Sequence, residues 1–378
     1  MVTAIEEPTT HVSGSHGQFR VLIAGAGPAA VEAALTLQRL AGERVTVTIV
    51  APERSVHLPP TALAPFAAGR ELHPSLDVVA RTNVRRGKLE VVDVDAHEVR
   101  LDDGETLEYD ALLVAVGGIQ RLPFGRALAY GSAGSEERMH GLIQDLEDGY
   151  IKRVAFVVPP GSSWSLPVYE LALMTAERAF DMCVNVEFTL ITHERAPLGI
   201  FGPETARDVE HLLETVGVAI RSGVDADMSS GAIDLRPTGE RIDVDRVVTV
   251  PVLSGPMIDG LPHDHAGFLP VDGHGRVLAA PAVYAAGDVT DFTIKQGGIA
   301  CQQADAAAEA IAADAGVAIE PAPFVPVLRG LLLTEHDSLW MQRDLSRPDE
   351  ALSQDWPQTK FAGRELSRLL SGSDGLPR

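Results

Sequence analysis

The chain has 378 residues, a length that corresponds to roughly two or three domains. Its 53 acidic residues exceed its 31 basic residues and give a formal net charge of −22. Such a surface repels nucleic-acid phosphates and anionic lipids, so we expect no nucleic-acid partner. No apolar segment approaches the ~20 residues of a membrane-spanning helix.

The first residues also suggest where the chain resides. Residues 1–18 are polar, predict a disordered tail and lack the apolar core of a secretory signal. The two cysteines form no CxxC motif, which suits a reducing compartment. We therefore expect a soluble, cytoplasmic protein without a transmembrane segment. Peripheral membrane contact and the oligomeric state stay open.

The residues from Phe19 to Val50 predict the opening βαβ unit of a doubly wound sheet. A β-rich run at Phe19–Ala24 leads into a Gly-rich turn, a helix at Ala29–Leu40 and a second strand at Val45–Val50. The following segment predicts short antiparallel strands at Leu89–Asp95 and Glu98–Leu101, and a hairpin turn at Asp102–Gly104 that leads to Thr106–Glu108. A strand buried on both faces follows at Ala111–Val116.

A second βαβ unit follows about 130 residues later, as a repeat of architecture rather than of sequence. Its predicted elements are a strand, a loop, a helix and a strand, at Val154–Val158, Pro159–Ser163, Leu166–Phe180 and Val186–Ile191. Two more strands are predicted at Arg246–Val250 and Val283–Ala286, and a crossing loop at Pro251–Gly260 lies between them. An Ala-rich helix follows at Gly298–Ala313. Residues 321–378 lack a clear period and are interpreted as a small C-terminal domain.

The turn after the first strand has the pattern Gly25-x-Gly27-x-x-Ala30. Gly25 permits the tight turn, Gly27 lets the backbone approach a pyrophosphate, and Ala30 packs the helix on the sheet. The start of the helix then offers N–H groups to the anion. The pattern predicts dinucleotide binding, the alternative being an ordinary tight turn. The acid that usually ends the second strand is absent, and Glu53 either reaches the ribose from two residues later or is a solvated surface residue.

Two further motifs, Tyr109–Gly118 and Val283–Asp288, follow in order. With the first motif, they make residues 20–320 resemble the two-dinucleotide-binding-domain flavoproteins of the pyridine nucleotide–disulfide oxidoreductase superfamily. The chain is most similar to the branch with sulfide:quinone reductases and type II NADH dehydrogenases. The resemblance implies an α/β fold with two Rossmann-like three-layer domains, the first split in sequence, and non-covalent FAD.

The resemblance also implies the domain limits and the FAD-binding residues. The FAD domain would comprise residues 19–145 and 256–320, the NAD(P)-binding-like domain residues 146–255, and the C-terminal domain residues 321–378. The turn would hold the pyrophosphate, Leu89 would approach the adenine, and Asp288 would accept a hydrogen bond from the ribityl chain. Val116 replaces a family threonine, so a hydroxyl role is lost there. The expected FAD-binding residues are Gly25, Gly27, Pro28, Ala29, Glu53, Leu89, Val116, Gly117, Gly287, Asp288, Gln296 and Gly297.

Lys295 and Glu170 are the candidate catalytic residues. In the family, the helix after Lys295 directs its N-terminus at the flavin pyrimidine ring, where reduced flavin carries negative charge that the helix dipole and Lys295 would stabilise. The alternative is a solvated loop lysine. Glu170 would face the nicotinamide side of the flavin, the alternative being an exposed acid on the helix surface.

The second unit departs from the family at its expected NAD(P)H loop. Pro159 and Pro160 remove N–H donors, and Trp164 adds bulk where glycine is usual. Thr192 replaces the acid that selects NADH, and Arg195 is weak evidence for NADPH. NAD(P)H binding is therefore doubtful.

Disulfide and metal chemistry find little support in the sequence. Cys183 precedes a strand, opposite the ligand-binding edge, and is interpreted as a small core residue; Cys301 is interpreted as packing inside a helix. His263 and His265 predict a solvated loop rather than a metal site.

We therefore expect an FAD-dependent oxidoreductase that passes electrons to a quinone-like or other small acceptor from an unidentified small donor. The alternatives are an NAD(P)H:quinone reductase, an FAD-binding redox sensor without turnover, and a reductase of a ferredoxin-like protein. The acidic excess disfavours an acidic protein carrier.

Overall fold

The computed structural model describes residues 18–58, 62, 65, 66, 76, 82–229, 231–334, 338–348 and 363–372. Two parallel five-stranded sheets, each with helices on it, dominate this part of the chain. The α/β fold class is confirmed. The predicted tail lies outside the described residues except for Gln18.

The first region runs to the start of the second unit. Its elements are β1 (Phe19–Ala24), α1 (Pro28–Ala41), β2 (Val45–Ala51), β3 (Thr82–Arg86), β4 (Leu89–Asp93), β5 (Glu98–Leu101), β6 (Thr106–Glu108), β7 (Ala111–Val114), β8 (Ile119–Arg121), β9 (Leu128–Ala129) and α2 (Ser135–Glu147). The βαβ start, the hairpin turn and the buried strand are confirmed within a residue or two at their ends.

The second region continues to residue 254. Its elements are β10 (Arg153–Val158), α3 (Leu166–Asp181), β11 (Glu187–Thr192), α4 (Pro203–Thr215), β12 (Val218–Ser222), β13 (Asp225–Ser229), β14 (Ala232–Arg236), β15 (Arg241–Asp243), β16 (Arg246–Thr249) and β17 (Val252–Ser254). The predicted crossing loop at Pro251–Gly260 therefore contains a short strand, which pairs with β8 into a two-stranded ribbon.

The remaining elements return to both sheets. They are β18 (Val283–Ala285), α5 (Gly297–Asp314), β19 (Val327–Leu333), β20 (Ser338–Asp344) and α6 (Leu366–Gly372). The first sheet has the order β18-β7-β1-β2-β3, so a strand from after the second unit completes it, as the split arrangement requires. The second sheet has the order β12-β11-β10-β16-β9.

Each sheet is covered on both faces because its central strands are continuously apolar. In the first sheet, Ile23 packs under α1 and α5, while Leu22 packs under the antiparallel β4-β5-β6 layer. In the second, Phe156 packs with α3, and Val157 packs with the β13-β14-β15 layer. All ten strands of the two sheets pair in parallel, so their carboxyl-end loops gather at one edge of each sheet.

The described C-terminal elements join these two cores. Leu328 and Leu332 of β19 belong to the core of the second sheet, and Leu366 of α6 belongs to that of the first. The predicted domain boundaries stay a prediction. No helix within the described ranges combines the length and apolarity needed to cross a bilayer.

Candidate functional site

The turn between β1 and α1 is pinned against the sheet by Gly25. A Cβ atom on Gly25 would lie 2.1 Å from the carbonyl oxygen of Ala115, and its φ is +127°. Its N–H donates to the carbonyl of Val50 at 2.8 Å. Only glycine fits this position, because the backbone that directly follows β7 lies where a side chain would be.

Gly27 is a glycine for a different reason. Its φ is −83°, and a Cβ atom there would approach nothing nearer than the His57 carbonyl oxygen at 3.9 Å. Packing within the described residues therefore does not require glycine, whereas a group lying on the backbone would. Pro28 begins α1 and Ala29 follows, and the helix start has no side-chain cap. Its first N–H groups are thus available to an anion, which fits a pyrophosphate.

Glu53 and Leu89 lie around the end of β2. Glu53 is exposed and accepts a hydrogen bond from the Ser55 hydroxyl at 3.3 Å. Leu89 begins β4 and pairs with Leu101 in the small antiparallel sheet. The carboxylate of Glu53 is accessible to a ribose, and contacts of both residues with FAD stay predictions.

The starts of α1 and α5 meet at Gly287. A Cβ atom on Gly287, whose φ is +84°, would lie 3.3 Å from the Cβ atoms of both Ala29 and Ala300. Gly117 has φ +78° and open space where its side chain would be, next to the half-exposed Val116. The starts of α1 and α5, each a positive helix end, therefore approach one another at the residue that precedes Asp288.

A buried amide network fixes the turn that carries Asp288. The Gly287 N–H donates to Oε1 of Gln303 at 2.8 Å, and the Thr290 hydroxyl donates to the Gly287 carbonyl at 2.9 Å. Nε2 of Gln303 donates to the Thr290 hydroxyl at 3.2 Å. Burial raises the pKa of Asp288, and the nearby Lys295 charge opposes that rise. Sequence reasoning missed Gln303, which is nearly two turns beyond the helix start.

Lys295 is buried, with 8% of its surface exposed, so the interpretation as a solvated loop lysine is wrong. Its Nζ donates to the Thr290 carbonyl and lies 3.9 Å from the centre of the Phe268 ring. Burial lowers its pKa to about 8, while Asp288 and two further carboxylates oppose the change. The result is a fixed cation beside the start of α5.

The N-terminus of α5 is capped by its own chain. Oε1 of Gln296 accepts the Ile299 N–H at 2.9 Å, and its Nε2 donates to the Arg329 carbonyl of β19 at 3.1 Å. The Gln296 side chain is therefore occupied by structural bonds. Gly297 begins the helix without a side chain, so any contact with FAD there comes from the backbone.

A half-buried tryptophan stands in the loop at the carboxyl end of β10. Trp164 packs edge-on against Phe201, with ring centroids 6.1 Å apart. The Ser163 carbonyl accepts the Lys295 N–H at 3.4 Å, so the loop leans on the segment before α5. Pro167 stands in the first turn of α3 and supplies no N–H.

Glu194 is a site residue that sequence reasoning missed. Its carboxylate accepts hydrogen bonds from the hydroxyls of Ser165 (2.9 Å), Tyr169 and Thr192 (3.1 Å). Burial, with the Glu194 charge as the next cause, raises the pKa of Tyr169. A local signal existed in the sequence: Val47–Arg54 and Phe188–Arg195 read VTIVAPER and FTLITHER, which aligns Glu194 with Glu53.

Glu170 is fully buried, so the alternative of an exposed acid on the helix surface is wrong. Its Oε1 accepts the Leu333 N–H of β19 at 3.0 Å, which ties the C-terminal hairpin to α3. The sequence could not show this contact, because the partner lies 163 positions away. A catalytic role of Glu170 stays a prediction.

The two cysteines differ in exposure. The prediction that Cys183 is a core residue is wrong: it is exposed, in a turn with φ +55° between α3 and β11. Cys301 is buried, as predicted, and its Sγ lies 3.8 Å from the Pro28 carbonyl oxygen. His263 and His265 are exposed. Among the described residues, no three His, Cys, Asp or Glu side chains are grouped to hold a metal.

Comparisons with known proteins agree with this geometry. A family model described as pyridine nucleotide-disulphide oxidoreductase matches residues 19–307. Putidaredoxin reductase of Pseudomonas putida is 30% identical over 221 residues, which are 54% of this chain and 49% of that protein. The chain thus spans about half the length of this curated relative.

Two solved structures show the same fold. Sulfide:quinone oxidoreductase of Aquifex aeolicus has a TM-score of 0.78 at 18% identity, over 86% of this chain and 84% of that one. The covalent putidaredoxin reductase–putidaredoxin complex has a TM-score of 0.64 at 22% identity, over 91% and 84% of the respective chains.

Proposed function

The chain belongs to the pyridine nucleotide-disulphide oxidoreductase family, and we propose that it passes electrons from a small donor other than NAD(P)H to a quinone-like acceptor. It is an FAD-dependent oxidoreductase, so the alternative of a redox sensor without turnover is set aside. The observation that carries the proposal is the buried Lys295 at the start of α5.

The FAD-binding residues are part of the proposal. Gly27, Pro28 and Ala29 bind the pyrophosphate through the start of α1, Glu53 binds the ribose, and Asp288 binds the ribityl chain. When bound, FAD supplies a ring that takes up and releases electrons. Lys295 and the backbone of Gly297 would stabilise negative charge on the reduced ring.

An apolar flank beside Lys295 supports a flat, apolar acceptor. Phe292 and Ile294 precede the lysine, and Phe292 packs edge-on against Phe324 with centroids 5.3 Å apart. Aromatic side chains of this kind suit a quinone ring. Lys295, with a pKa of about 8, is mostly charged at neutral pH and can hold a proton.

The loop after β10 supports a donor other than NAD(P)H. A dinucleotide needs backbone N–H groups at the start of the second helix, and Pro159, Pro160 and Pro167 provide none. Trp164, which lies in the same loop, packs edge-on against Phe201 from a later turn of the chain. Losing two charge-assisted hydrogen bonds weakens binding by roughly two to four orders of magnitude.

The experiment compares Lys295→Gln with Lys152→Gln, since Lys152 is exposed at the other end of β10. Lys295→Gln should lower the flavin midpoint potential by about 30 mV, which corresponds to ~1.4 kcal/mol for two electrons. It should also slow oxidation of the photoreduced flavin by a soluble quinone. Lys152→Gln should change neither. Equal potentials in the two variants, or no oxidation of the wild type by quinone, would contradict the proposal.

A second candidate is a reductase of a ferredoxin-like carrier. It is favoured by the 30% identity to putidaredoxin reductase over 221 residues. The excess of acidic residues opposes it, because such carriers are themselves acidic. Rapid, saturable flavin reduction by micromolar NADH, followed by electron transfer to a ferredoxin, would replace the first candidate with this one.

A further inference from the structure

The carboxylate of Glu194 stands where a doubly wound fold normally recognises a nucleotide. In such folds, an acid after the second strand of the unit binds the ribose hydroxyls of the dinucleotide. Glu194 is two residues past the end of β11, next to the start of α3. It is thus the acid of the second unit that is placed to receive a ribose.

Hydroxyl groups of the chain itself already surround this carboxylate. Ser165 precedes α3, Tyr169 lies in its first turns and Thr192 ends β11, and all three donate to Glu194. Ser165 is 8% exposed, and Tyr169 and Thr192 are fully buried. A carboxylate accepts about four hydrogen bonds, so three hydroxyls occupy most of its capacity.

We propose that the hydroxyls of Ser165, Tyr169 and Thr192 occupy Glu194 in place of the ribose hydroxyls of a nicotinamide dinucleotide, and that this occupied carboxylate excludes NAD(P)H. This inference rests on the proposed function, since it explains why the donor is not NAD(P)H. A ribose can reach Glu194 only after displacing hydroxyls of buried residues, and a buried donor left without an acceptor is costly.

The test removes the internal hydroxyls and asks whether a nucleotide takes their place. In the FAD-loaded protein, Ser165→Ala combined with Tyr169→Phe should lower the dissociation constant of NAD+ at least tenfold, because Glu194 is freed to accept ribose hydroxyls. Adding Glu194→Gln to that pair should reverse the gain. Calorimetric titration with NAD+ measures both without any turnover.

Tyr284→Phe is the matched control. The Tyr284 hydroxyl also donates to a carboxylate, that of Asp314, but outside the second unit. Tyr284→Phe should leave NAD+ binding unchanged. Flavin spectra and melting temperatures verify that every variant is folded.

The outcomes separate the two proposals. If the double variant shows no gain in NAD+ affinity, the inference about Glu194 is overturned. If the wild type at the same time binds NAD+ weakly, the proposal of a donor other than NAD(P)H still stands. Tight NAD+ binding by the wild type that Glu194→Gln abolishes overturns both, because Glu194 would then bind ribose directly.

Discussion

The two βαβ units end their second strands alike but leave the glutamate that follows in opposite states. Glu53 is exposed, with a single hydrogen bond from Ser55 in the described structure. Glu194 accepts three hydroxyls from its own unit. The preceding loops differ in the same way, since Gly27 leaves the start of α1 bare, whereas Trp164 packs beside the start of α3. The same framework thus carries an accessible carboxylate in the first unit and an occupied one in the second.

The first helices of the two units also share a feature, and here both are used. Glu32 and Glu170 are each the fifth residue of their helix, and both are fully buried. Glu32 accepts the N–H groups of Glu365 and Leu366 at 2.8 and 2.7 Å, and Glu170 accepts that of Leu333. The C-terminal segments are therefore anchored by equivalent acids on the two units.

The largest expected effect is a difference in FAD binding between variants of the turn after β1 and of the loop after β10. Gly27→Val places a side chain where the pyrophosphate would lie, so it should weaken FAD binding by roughly two to four orders of magnitude, through loss of two anion–backbone hydrogen bonds. Gly161→Val, in the loop after β10, should retain FAD, although its φ of +79° makes the variant less stable by about 1–2 kcal/mol. Flavin content after purification and titration with FAD measure this. Loss of FAD in both variants would break the comparison.

The second prediction concerns the anchoring acid of the first unit. Burial and the nearby Asp305 raise the pKa of Glu32 from 4.5 to about 7. The folded chain keeps this proton up to about pH 7 while the unfolded chain loses it near pH 4.5, so the stability contribution falls as pH rises through that window. The loss is at most about 3 kcal/mol.

Melting curves between pH 4 and pH 8 test the sign. Glu32→Gln should flatten the decline, because no proton is then exchanged at that position. Asp305→Asn should reduce the decline without abolishing it, since it removes the neighbouring negative charge but leaves the burial of Glu32. An unchanged slope in Glu32→Gln would show that another group carries the dependence.

The third prediction compares the two strand-end glutamates directly. If Glu53 binds the FAD ribose, Glu53→Gln should weaken FAD binding by about tenfold, the value of one hydrogen bond to a charged group. Glu194→Gln should leave FAD affinity unchanged, because its carboxylate serves the second unit. Equal FAD affinities in Glu53→Gln and the wild type would make Glu53 a solvated surface residue.

How much the sequence could predict depended on whether the deciding contact was local. The strand, turn and helix from Phe19 to Ala41 were found because glycine spacing and apolar runs act within a few residues. β3 was missed, because the edge strand Thr82–Arg86 is polar and has no alternating pattern. α4 was missed although its buried Ala206, Val209 and Leu213 have helical spacing.

Side-chain states in the site depended on distant partners. Lys295 is buried against Phe268, which lies in an earlier loop of no recognisable motif. Glu170 is buried by β19. The exposure of Cys183 was mispredicted because a position before a strand was assumed to be covered, whereas the turn carries the residue outward.

The smallest effect should come from Cys183→Ser. The residue follows α3 and precedes β11, so it lies at the amino end of the second sheet, while the turns at Gly25–Gly27 and Pro159–Ser163 lie at carboxyl ends. We expect unchanged rates of flavin reduction and reoxidation.

In the native wild type, a thiol reagent should modify one cysteine per chain rapidly, because Cys183 is exposed and Cys301 is buried with a raised pKa. Stopped-flow spectra of the variant, together with thiol titration before and after unfolding, measure both expectations. A substantial loss of rate in Cys183→Ser would mean that electrons enter at the amino end of the second sheet. The loop after β10, at the carboxyl end, would then no longer define where the donor binds.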